Sequence, residues 1–306
     1  MRMLAVRHDC PTAMKAAELI DHEMPPVGPN RAEYEAFQAF TLDTLGLALG
    51  DNKAYLLHGR LQRRMGELGL NDYGEYYRRL SSDRSGAELQ LFCNAITTTK
   101  TDFYREKEHF ELLTNQIYPA LKRKISHSSI GKVRLWSAGC SMGQEVYSMA
   151  FEAVDCFEQE LEAGLDMKFL GTDINTEMLA VARSGIYNAE MLQPLSAAQQ
   201  KKYFCKTERA DDSALQVNDR IADLVEFRRV NFMQPTYPIE TTFQVIFCRN
   251  VFYYFDPGIR QIVLNRLAGY LDDGGWLVLS VTEIGYEIPD LVKVRGNIFR
   301  RQAVTA

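Results

Sequence analysis

Several features that mark common classes of protein are missing from this sequence. Its six cysteines are scattered and form no C-x-x-C pair, so we expect no metal site. No run of about 18 apolar residues occurs, which excludes a transmembrane helix, and the first 25 residues lack the apolar stretch of a signal peptide. The net charge of -5 argues against a surface built for nucleic acid. We therefore expect a cytoplasmic protein without membrane insertion.

The sequence does contain enough apolar material for two packed domains. It has 306 residues, of which 46% are hydrophobic. Cys93, Cys140 and Cys248 lie in apolar surroundings and are predicted to be buried thiols in a reducing compartment. Residues 1–30 end in a proline-rich stretch that cannot continue a helix. They are predicted to be an N-terminal extension and linker.

Residues 31–110 show the apolar spacing of helices rather than the alternation of strands. Phe37, Phe40 and Leu45 illustrate this spacing. Helices are predicted over 33–47, 53–68, 75–80 and 86–98, with Asp51 as the N-cap of the second. This region is predicted to be an all-α domain.

After about residue 130 the pattern changes to strands that alternate with helices. Strands are predicted at 133–137, 167–172, 225–231, 244–248 and 276–281, helices at 145–162, 176–184 and 258–271, and a closing hairpin within 292–302. This alternation predicts an α/β domain with a doubly wound parallel sheet over residues 111–306. Residues 206–223 are polar, contain one candidate strand at 214–217, and are predicted to be a small β insertion.

The turn after the first predicted strand is the first candidate binding site. Ligands of such sheets lie beyond the carboxyl ends of the strands, and Ala138 and Gly139 are small enough to let a ligand approach the backbone. Asp173 ends the second strand, where an acid can accept hydrogen bonds from ribose hydroxyls. Glu145 opens the following helix and could accept from an amino group. An adenosine-containing ligand is indicated; the alternatives are a tight turn without a ligand and, for Glu145, an acid favoured by the helix dipole.

Four segments of the chain resemble, in order, motifs of the CheR family, the chemotaxis receptor methyltransferases. They are TTTKTDFYRE at 97–106, LWSAGCSMGQEVYS at 135–148, TDIN with ARSGIY at 172–175 and 182–187, and IFCRNVFYYFD at 246–256. The family typically reads T-T-N-x-T-x-F-F-R-E, W-S-A-(G/A)-x-S-T-G-E-E-P-Y-S, S-D-I-D with A-R-S-G-I-Y, and I-F-C-R-N-V-x-I-Y-F-D. The resemblance covers the chain from about residue 31 to its end.

The resemblance implies a Rossmann-like methyltransferase domain that binds S-adenosylmethionine and releases S-adenosylhomocysteine. It assigns to the cofactor site Thr101, Arg105, Glu145, Asp173, Asn231, Phe232, Arg249 and Asn250. Arg105 and Tyr254 would face the reacting methyl group as catalytic residues. Arg105 could orient either the carboxylate of the substrate or that of the cofactor, and the sequence leaves both open.

The chain departs from the family pattern at a few positions. The family Asn is Thr99, the first Glu of G-E-E is Gln144, its Pro is Val146, and the late G-H-S-E reads SVTE at 280–283. Because Arg105, Glu145 and Tyr254 are retained, activity is expected. The implied reaction is methylation of glutamate side chains on receptor methylation helices. A glutamate has a pKa of about 4.3 and is already an anionic nucleophile, so no general base is required.

The helical domain carries a candidate docking surface for the receptor. Arg60, Arg63 and Arg64 are spaced i, i+3 and i+4, which places them on one helix face that would complement glutamate-rich helices. The simpler interpretation is a solvated face. Residues 206–220 contain no glycine and are acidic, so we expect no binding of the receptor's C-terminal pentapeptide, which some relatives grip at this insertion.

Two other functions remain open at this point. A small-molecule methyltransferase could use the same fold, although it would not need the helical domain. A regulatory or scaffold protein could bind the cofactor without catalysis, given the departures from the family pattern. A nucleic-acid methyltransferase is disfavoured by the acidic balance and by the lack of an N/D-P-P-Y/W tetrapeptide. We expect a monomer.

Overall fold

Four helices form the first part of the fold. The computed structural model describes residues 28–51, 53–128, 131–208 and 213–302, so most of the predicted linker lies outside it. The helices are α1 (Arg31–Leu45), α2 (Ala54–Glu67), α3 (Tyr73–Ser82) and α4 (Ala87–Ile96). Their apolar faces meet around Phe37, Leu61 and Phe92, which are fully buried, so the helical prediction is confirmed.

The start of α2 differs from the prediction. Asp51 is not its N-cap: Lys53 occupies that position without a side-chain hydrogen bond to the helix. Asp51 instead accepts a hydrogen bond from Nε2 of Gln38 on α1 at 3.4 Å. The side chain is therefore engaged by a neighbouring helix, a contact that local sequence does not reveal. By contrast, Asn30 caps α1 in a reciprocal capping box with Glu33.

A helical segment connects this bundle to the sheet. It consists of α5 (Lys107–Leu112), a π-helical turn (Leu113–Ile117) and α6 (Tyr118–Ser128). Phe110, Leu113 and Ile117 pack into the core on one face of the sheet. The connection is thus part of the sheet domain's packing.

The sheet has seven strands in the order β6-β2-β1-β7-β8-β10-β9. The strands are β1 (Lys132–Ala138), β2 (Asp166–Asp173), β6 (Val225–Arg229), β7 (Phe243–Cys248), β8 (Leu271–Leu279), β9 (Leu291–Arg295) and β10 (Ile298–Arg301). The first five in the order are mutually parallel, and β10 is antiparallel to both of its neighbours. The doubly wound α/β prediction is confirmed. Since β2 lies on one side of β1 and β7 on the other, the topological switch point falls between β1 and β7.

Helices cover both faces of this sheet. They include α7 (Gln144–Cys156), α8 (Glu158–Glu162), α9 (Thr176–Ser184) and α12 (Pro257–Gly269). The helix predicted over 145–162 is wrong as one element, because Phe157 interrupts it with φ -110 and ψ 24. That ring is fully buried against Tyr118, so packing overrides the local helical preference.

A second, three-stranded antiparallel sheet lies beside α7. Its order is β3-β5-β4, from β3 (Ile186–Tyr187), β4 (Phe204–Lys206) and β5 (Leu215–Val217), and the short helices α10 (Ala197–Tyr203) and α11 (Asp219–Ala222) adjoin it. Of the three strands of this sheet, the predicted insertion at 206–223 therefore contains only β5 and the end of β4, and it also contains α11. Strands of two or three residues are too short to give an alternating pattern, which is why β3 and β4 escaped prediction. Residues 209–212 lie outside the described ranges.

The helical and sheet domains are joined by main-chain hydrogen bonds. The N–H of Ala48 donates to the carbonyl of Tyr254 at 2.9 Å, and the N–H of Asp256 donates to that of Gly46 at 3.0 Å. Gly46 has φ 72, and a Cβ there would lie 2.7 Å from Sδ of Met233. A glycine is therefore required where the two domains approach each other.

Candidate functional site

A cavity of about 390 Å³ lies between the helical domain and the carboxyl ends of the parallel strands. Its position at the β1–β7 switch point is where ligands of such sheets bind. The cavity is lined by these residues from the sequence prediction: Thr101, Arg105, Gly139, Glu145, Asp173, Asn231, Phe232, Arg249, Asn250 and Tyr254. Segments far apart in the chain thus meet at one place.

Ala138 is the one predicted cofactor residue that is not among those lining the cavity. Its side chain is fully buried and packs with Trp136 in the core on one face of the sheet. Gly139, the next residue, does line the cavity and has φ 86. A Cβ at Gly139 would come within 2.6 Å of Val251 Cγ2, so the lack of a side chain there allows the two loops to pack together.

Asp173 is held at the end of β2 by main-chain donors. The N–H of Ser141 donates to Oδ2 at 2.8 Å, and the N–H of Asn175 donates to Oδ1 at 2.9 Å. Burial raises the pKa of Asp173, and these two donors oppose that effect. Each oxygen keeps acceptor capacity toward the cavity, which suits a pair of ligand hydroxyl groups.

Arg249 is a buried guanidinium between two carboxylates at the end of β7. Its Nη2 lies 3.5 Å from Glu106 Oε2, and its Nη1 lies 3.5 Å from Glu145 Oε2. Nη2 also donates a hydrogen bond to the carbonyl of Arg105. Within the described part of the chain, its Nε and Nη1 have no hydrogen-bond partner. Two nitrogens of this buried cation therefore lack a hydrogen-bond acceptor among the described residues, and the residue lines the cavity.

Glu145 lies next to Arg249 on the first turn of α7. Its Oε1 accepts a hydrogen bond from Oγ of Ser137 at 2.7 Å. Burial raises the pKa of Glu145, and the charge of Arg249 is the largest influence that lowers it. The neighbouring anion and cation together complement a zwitterion, such as the amino-acid end of a ligand.

Two further carboxylates shape the site, and the sequence interpretation missed both roles. Glu283 is buried and accepts main-chain hydrogen bonds at 2.7 to 3.2 Å from Asn250, Val251, Phe252 and Ser280. It thereby fixes the loop that follows β7. The only sequence feature that pointed to Glu283 was its position as the retained Glu of the segment at 280–283, where the family reads G-H-S-E.

Glu106 is the second of these carboxylates. Its Oε1 accepts from Asn250 Nδ2 at 3.0 Å and from Ser280 Oγ at 2.7 Å, and its Oε2 accepts from the N–H of Val281 at 3.1 Å. Burial raises the pKa of Glu106, but these hydrogen bonds and the charge of Arg249 bring it below its usual value. Glu106 is the last residue of the motif at 97–106, so the sequence indicated its position near the site. It could not indicate the hydrogen-bond partners, which are distant in the chain.

The backbone is strained around the cavity. Tyr104, Glu106, Ser141 and Asn250 all have φ between 49 and 61, a conformation that non-glycine residues rarely adopt. Such strain persists only where surrounding contacts hold it, and it concentrates at functional sites. These four residues lie in or beside the loops that line the cavity, which supports this location for the functional site.

Arg105 and Tyr254 line the same cavity from different loops. Nη1 of Arg105 donates to the carbonyl of Lys100 at 3.0 Å, so the guanidinium is anchored by its own loop. The ring of Tyr254 lies 4.3 Å, centroid to centroid, from that of Tyr253. Asn231 also lines the cavity, but its Nδ2 donates to the carbonyl of Thr44 at 2.9 Å and so connects the two domains.

The three arginines of α2 do not form one exposed stripe. Arg64 is only 19% exposed because it pairs with Glu88 through two hydrogen bonds, at 2.6 and 3.0 Å. Arg60 lines the cavity and donates to Oγ1 of Thr98 at 2.8 Å. Arg63 is 76% exposed, with Glu177 at 3.5 Å. The prediction of three docking arginines needs correction for Arg64, whose partner 24 residues away holds it against α4.

Two kinds of feature are absent from residues 28–51, 53–128, 131–208 and 213–302. None of the helices there combines the length and the apolar character that crossing a membrane requires. The same residues contain no group of three or more His, Cys, Asp or Glu side chains arranged to hold a metal ion.

The fold and the cavity define the chain as a cofactor-binding α/β protein with an added helical domain. Residues 99–296 match the family model described as "CheR methyltransferase, SAM binding domain", and residues 32–97 match "CheR methyltransferase, all-alpha domain". The chain therefore belongs to the CheR methyltransferase family, and its sheet domain binds S-adenosylmethionine. The two family models adjoin near residue 98, which is twelve residues before the predicted domain boundary at 110.

Curated relatives agree with this assignment. The chain is 37% identical over 238 residues to the chemotaxis protein methyltransferase of Salmonella typhimurium, covering 78% of each chain. It is 36% identical over 238 residues to a probable chemotaxis protein methyltransferase of Rhizobium etli, covering 78% of this chain and 87% of that one. It is 34% identical over 266 residues to the chemotaxis protein methyltransferase of Escherichia coli, covering 87% and 89%.

The residues of the cavity floor fit this cofactor. S-adenosylmethionine ends in an ammonium and a carboxylate group, and the floor offers the carboxylate of Glu145 beside the guanidinium of Arg249, whose Nε and Nη1 make no hydrogen bond to the residues that the structure describes. Its ribose carries two hydroxyls, and the oxygens of Asp173 retain acceptor capacity. Both ends of the ligand thus find groups of complementary chemistry.

Proposed function

We propose that this protein transfers the methyl group of S-adenosylmethionine to glutamate side chains of chemotaxis receptors, forming methyl esters during chemosensory adaptation. The family membership supports the methyl transfer, and the names of the relatives support the chemotaxis pathway. The observation that supports a carboxylate substrate is the position of Arg105 in the cavity. This guanidinium lines the cavity together with Tyr254, and both side chains can donate hydrogen bonds.

We assign the two arginines of the site to different carboxylates. Arg249 is buried in the floor beside Glu145, and we assign it and Glu145 to the amino-acid end of the cofactor, with Asp173 on the ribose. Arg105 is half-buried, and we assign it to the carboxylate of the substrate. When bound, the cofactor supplies an activated methyl group. The task of the protein is then to hold the glutamate oxygen in line with it, which lowers the barrier by proximity and orientation.

We also propose which surfaces of the protein contact the receptor. Arg63 and Arg60 of α2 would face the glutamate-rich methylation helices, and the receptor's C-terminal pentapeptide would not be bound. The acidic residue Glu208 in the loop between β4 and β5 supports the second point, because it would repel a free carboxylate. We propose that the enzyme acts as a monomer in the cytoplasm.

The test compares substrates with radiolabelled S-adenosylmethionine. Membranes that carry a chemotaxis receptor should become labelled, and mild base should release the label as methanol, since methyl esters are hydrolysed by base and methylated amines are not. Arg105→Ala should lose most of this activity while it keeps its fold. Label in small molecules alone would favour a small-molecule methyltransferase. Cofactor binding without any transfer would favour a regulatory protein.

A further inference from the structure

Tyr253 is an exposed aromatic residue at the edge of the cavity. It lies in the 3-10 turn Phe252–Tyr254, directly after the cavity-lining residues Asn250 and Val251. Phe252 is fully buried and Tyr254 lines the cavity, whereas Tyr253 is 45% exposed. A large aromatic side chain in this position offers contact area to anything that approaches the cavity from solvent.

The turn that carries Tyr253 is held from two sides. Oε1 of Glu283 accepts hydrogen bonds from the N–H groups of Val251 at 2.8 Å and Phe252 at 2.7 Å. On the other side, the N–H of Ala48 donates to the carbonyl of Tyr254 at 2.9 Å. The exposed ring is therefore presented by a fixed backbone, and a binding partner would pay little ordering entropy to contact it.

The hydroxyl of Tyr253 lies among the groups proposed to meet the substrate. The ring of Tyr253 lies 4.3 Å, centroid to centroid, from that of Tyr254, which lines the cavity together with Arg105. Burial, and then the neighbouring Tyr254 hydroxyl, raise the pKa of Tyr253 to about 12, with Arg105 opposing them. Tyr253 is thus a neutral phenol at physiological pH. It can accept a hydrogen bond from Arg105 and donate one of its own.

We propose that Tyr253 is a specificity-determining residue on the substrate side of the cavity. Its ring contacts the helix that carries the target carboxylate, and its hydroxyl keeps Arg105 directed at that carboxylate. This inference rests on the proposed function, since it requires a protein substrate that presents an acidic side chain. Aromatic anchors at the centre of an interface typically carry a large share of its binding energy.

The test separates substrate recognition from cofactor binding in Tyr253→Ala and Tyr253→Phe. The matched control is Val292→Ala, because Val292 is also 45% exposed but lies on the edge strand β9. For each variant, KM and kcat for receptor methylation are measured at saturating S-adenosylmethionine. The Kd of S-adenosylhomocysteine is measured by calorimetry.

In Tyr253→Ala, we expect KM for the receptor to rise roughly tenfold, as for loss of an interface anchor, and the Kd of S-adenosylhomocysteine to stay within about twofold. Tyr253→Phe should fall between parent and Tyr253→Ala, and Val292→Ala should equal the parent. An unchanged KM in Tyr253→Ala overturns the inference, as does a parallel loss of cofactor affinity. If the parent protein labels no receptor, the proposed function and the inference are both refuted. If the parent is active and Tyr253→Ala has the same KM for the receptor, only the inference is refuted.

Discussion

Replacing Arg249 with methionine would test how the buried charges of the cavity are balanced. The guanidinium lies 3.5 Å from both Glu106 and Glu145, and the rings of Phe110 and Phe247 lie 5.5 Å from it. Methionine fills much of the same volume among these rings but carries no charge. Arg249→Met would therefore leave two mostly buried carboxylates without their shared cation.

Breaking a buried ion pair by removing one partner typically costs about 3–5 kcal/mol, because the remaining charge is desolvated and unpaired. Since both carboxylates lose their cation, we expect a loss of at least about 3 kcal/mol in the free energy of unfolding at pH 7.5. That is a large part of the roughly 5–15 kcal/mol by which proteins are stable. The variant should nevertheless remain folded in the absence of denaturant.

The loss should depend on pH in a defined direction. Burial raises the pKa of Glu145, and Arg249 is the strongest influence that lowers it, so the pKa rises further in the variant. A carboxyl whose pKa is higher in the folded than in the unfolded state lowers stability as pH rises through the folded-state value. Arg249→Met should therefore be closer to the parent at pH 5.5 than at pH 7.5.

The assay is urea unfolding of parent and variant at both pH values, followed by circular dichroism. Arg249→Met combined with Glu145→Gln serves as a second variant and should recover about half of the loss, because one unpaired charge is removed. Unfolding midpoints of Arg249→Met that match the parent at both pH values would refute this reasoning. So would a larger loss at pH 5.5 than at pH 7.5.

Three further outcomes follow from the structure. Asp173→Asn should weaken S-adenosylhomocysteine binding roughly 10- to 100-fold by calorimetry, because an acceptor is lost, and an unchanged affinity would remove the ribose assignment. Arg63→Glu should slow receptor methylation at low salt and much less at high salt, with Arg228→Glu on β6 as the control; equal rates at low salt would exclude Arg63 from docking. Burial, and then Arg249, lower the pKa of His109 to about 4, so its neutral form stabilises the fold above about pH 6.5 and this contribution is lost as pH falls toward 4. His109→Asn should therefore lose stability less steeply than the parent over that range, and parallel curves would contradict this.

The elements that the sequence predicted well are those with a strong local signal. The helix Thr176–Ser184 was predicted with its observed bounds, because an Asn N-cap and a following glycine mark its ends. Helix α1 has the apolar spacing of one buried face, and the prediction missed its ends by two residues. The turn after β1 was recognisable because its small residues are consecutive in the chain.

The contacts that the sequence could not predict join residues that are far apart. Glu106 accepts a hydrogen bond from the N–H of Val281, which is 175 residues away, and Glu283 accepts from Asn250 33 residues before it. Periodicity placed Arg64 on a face of α2 but could not reveal that Glu88 would hold it there. Long-range partners of this kind follow from the packed fold and leave no local pattern.

The central claim is tested most directly by locating the transferred methyl group. Receptor-bearing membranes are incubated with the purified protein and S-adenosylmethionine, and the receptor is digested and analysed by tandem mass spectrometry, with Arg105→Ala as the comparison. The account predicts a mass increase of one methylene on glutamate side chains of the receptor's cytoplasmic helices, lost on base treatment and nearly absent with Arg105→Ala. Methylation on lysine, arginine or a non-receptor molecule, or no methylation while the cofactor is bound, would contradict it.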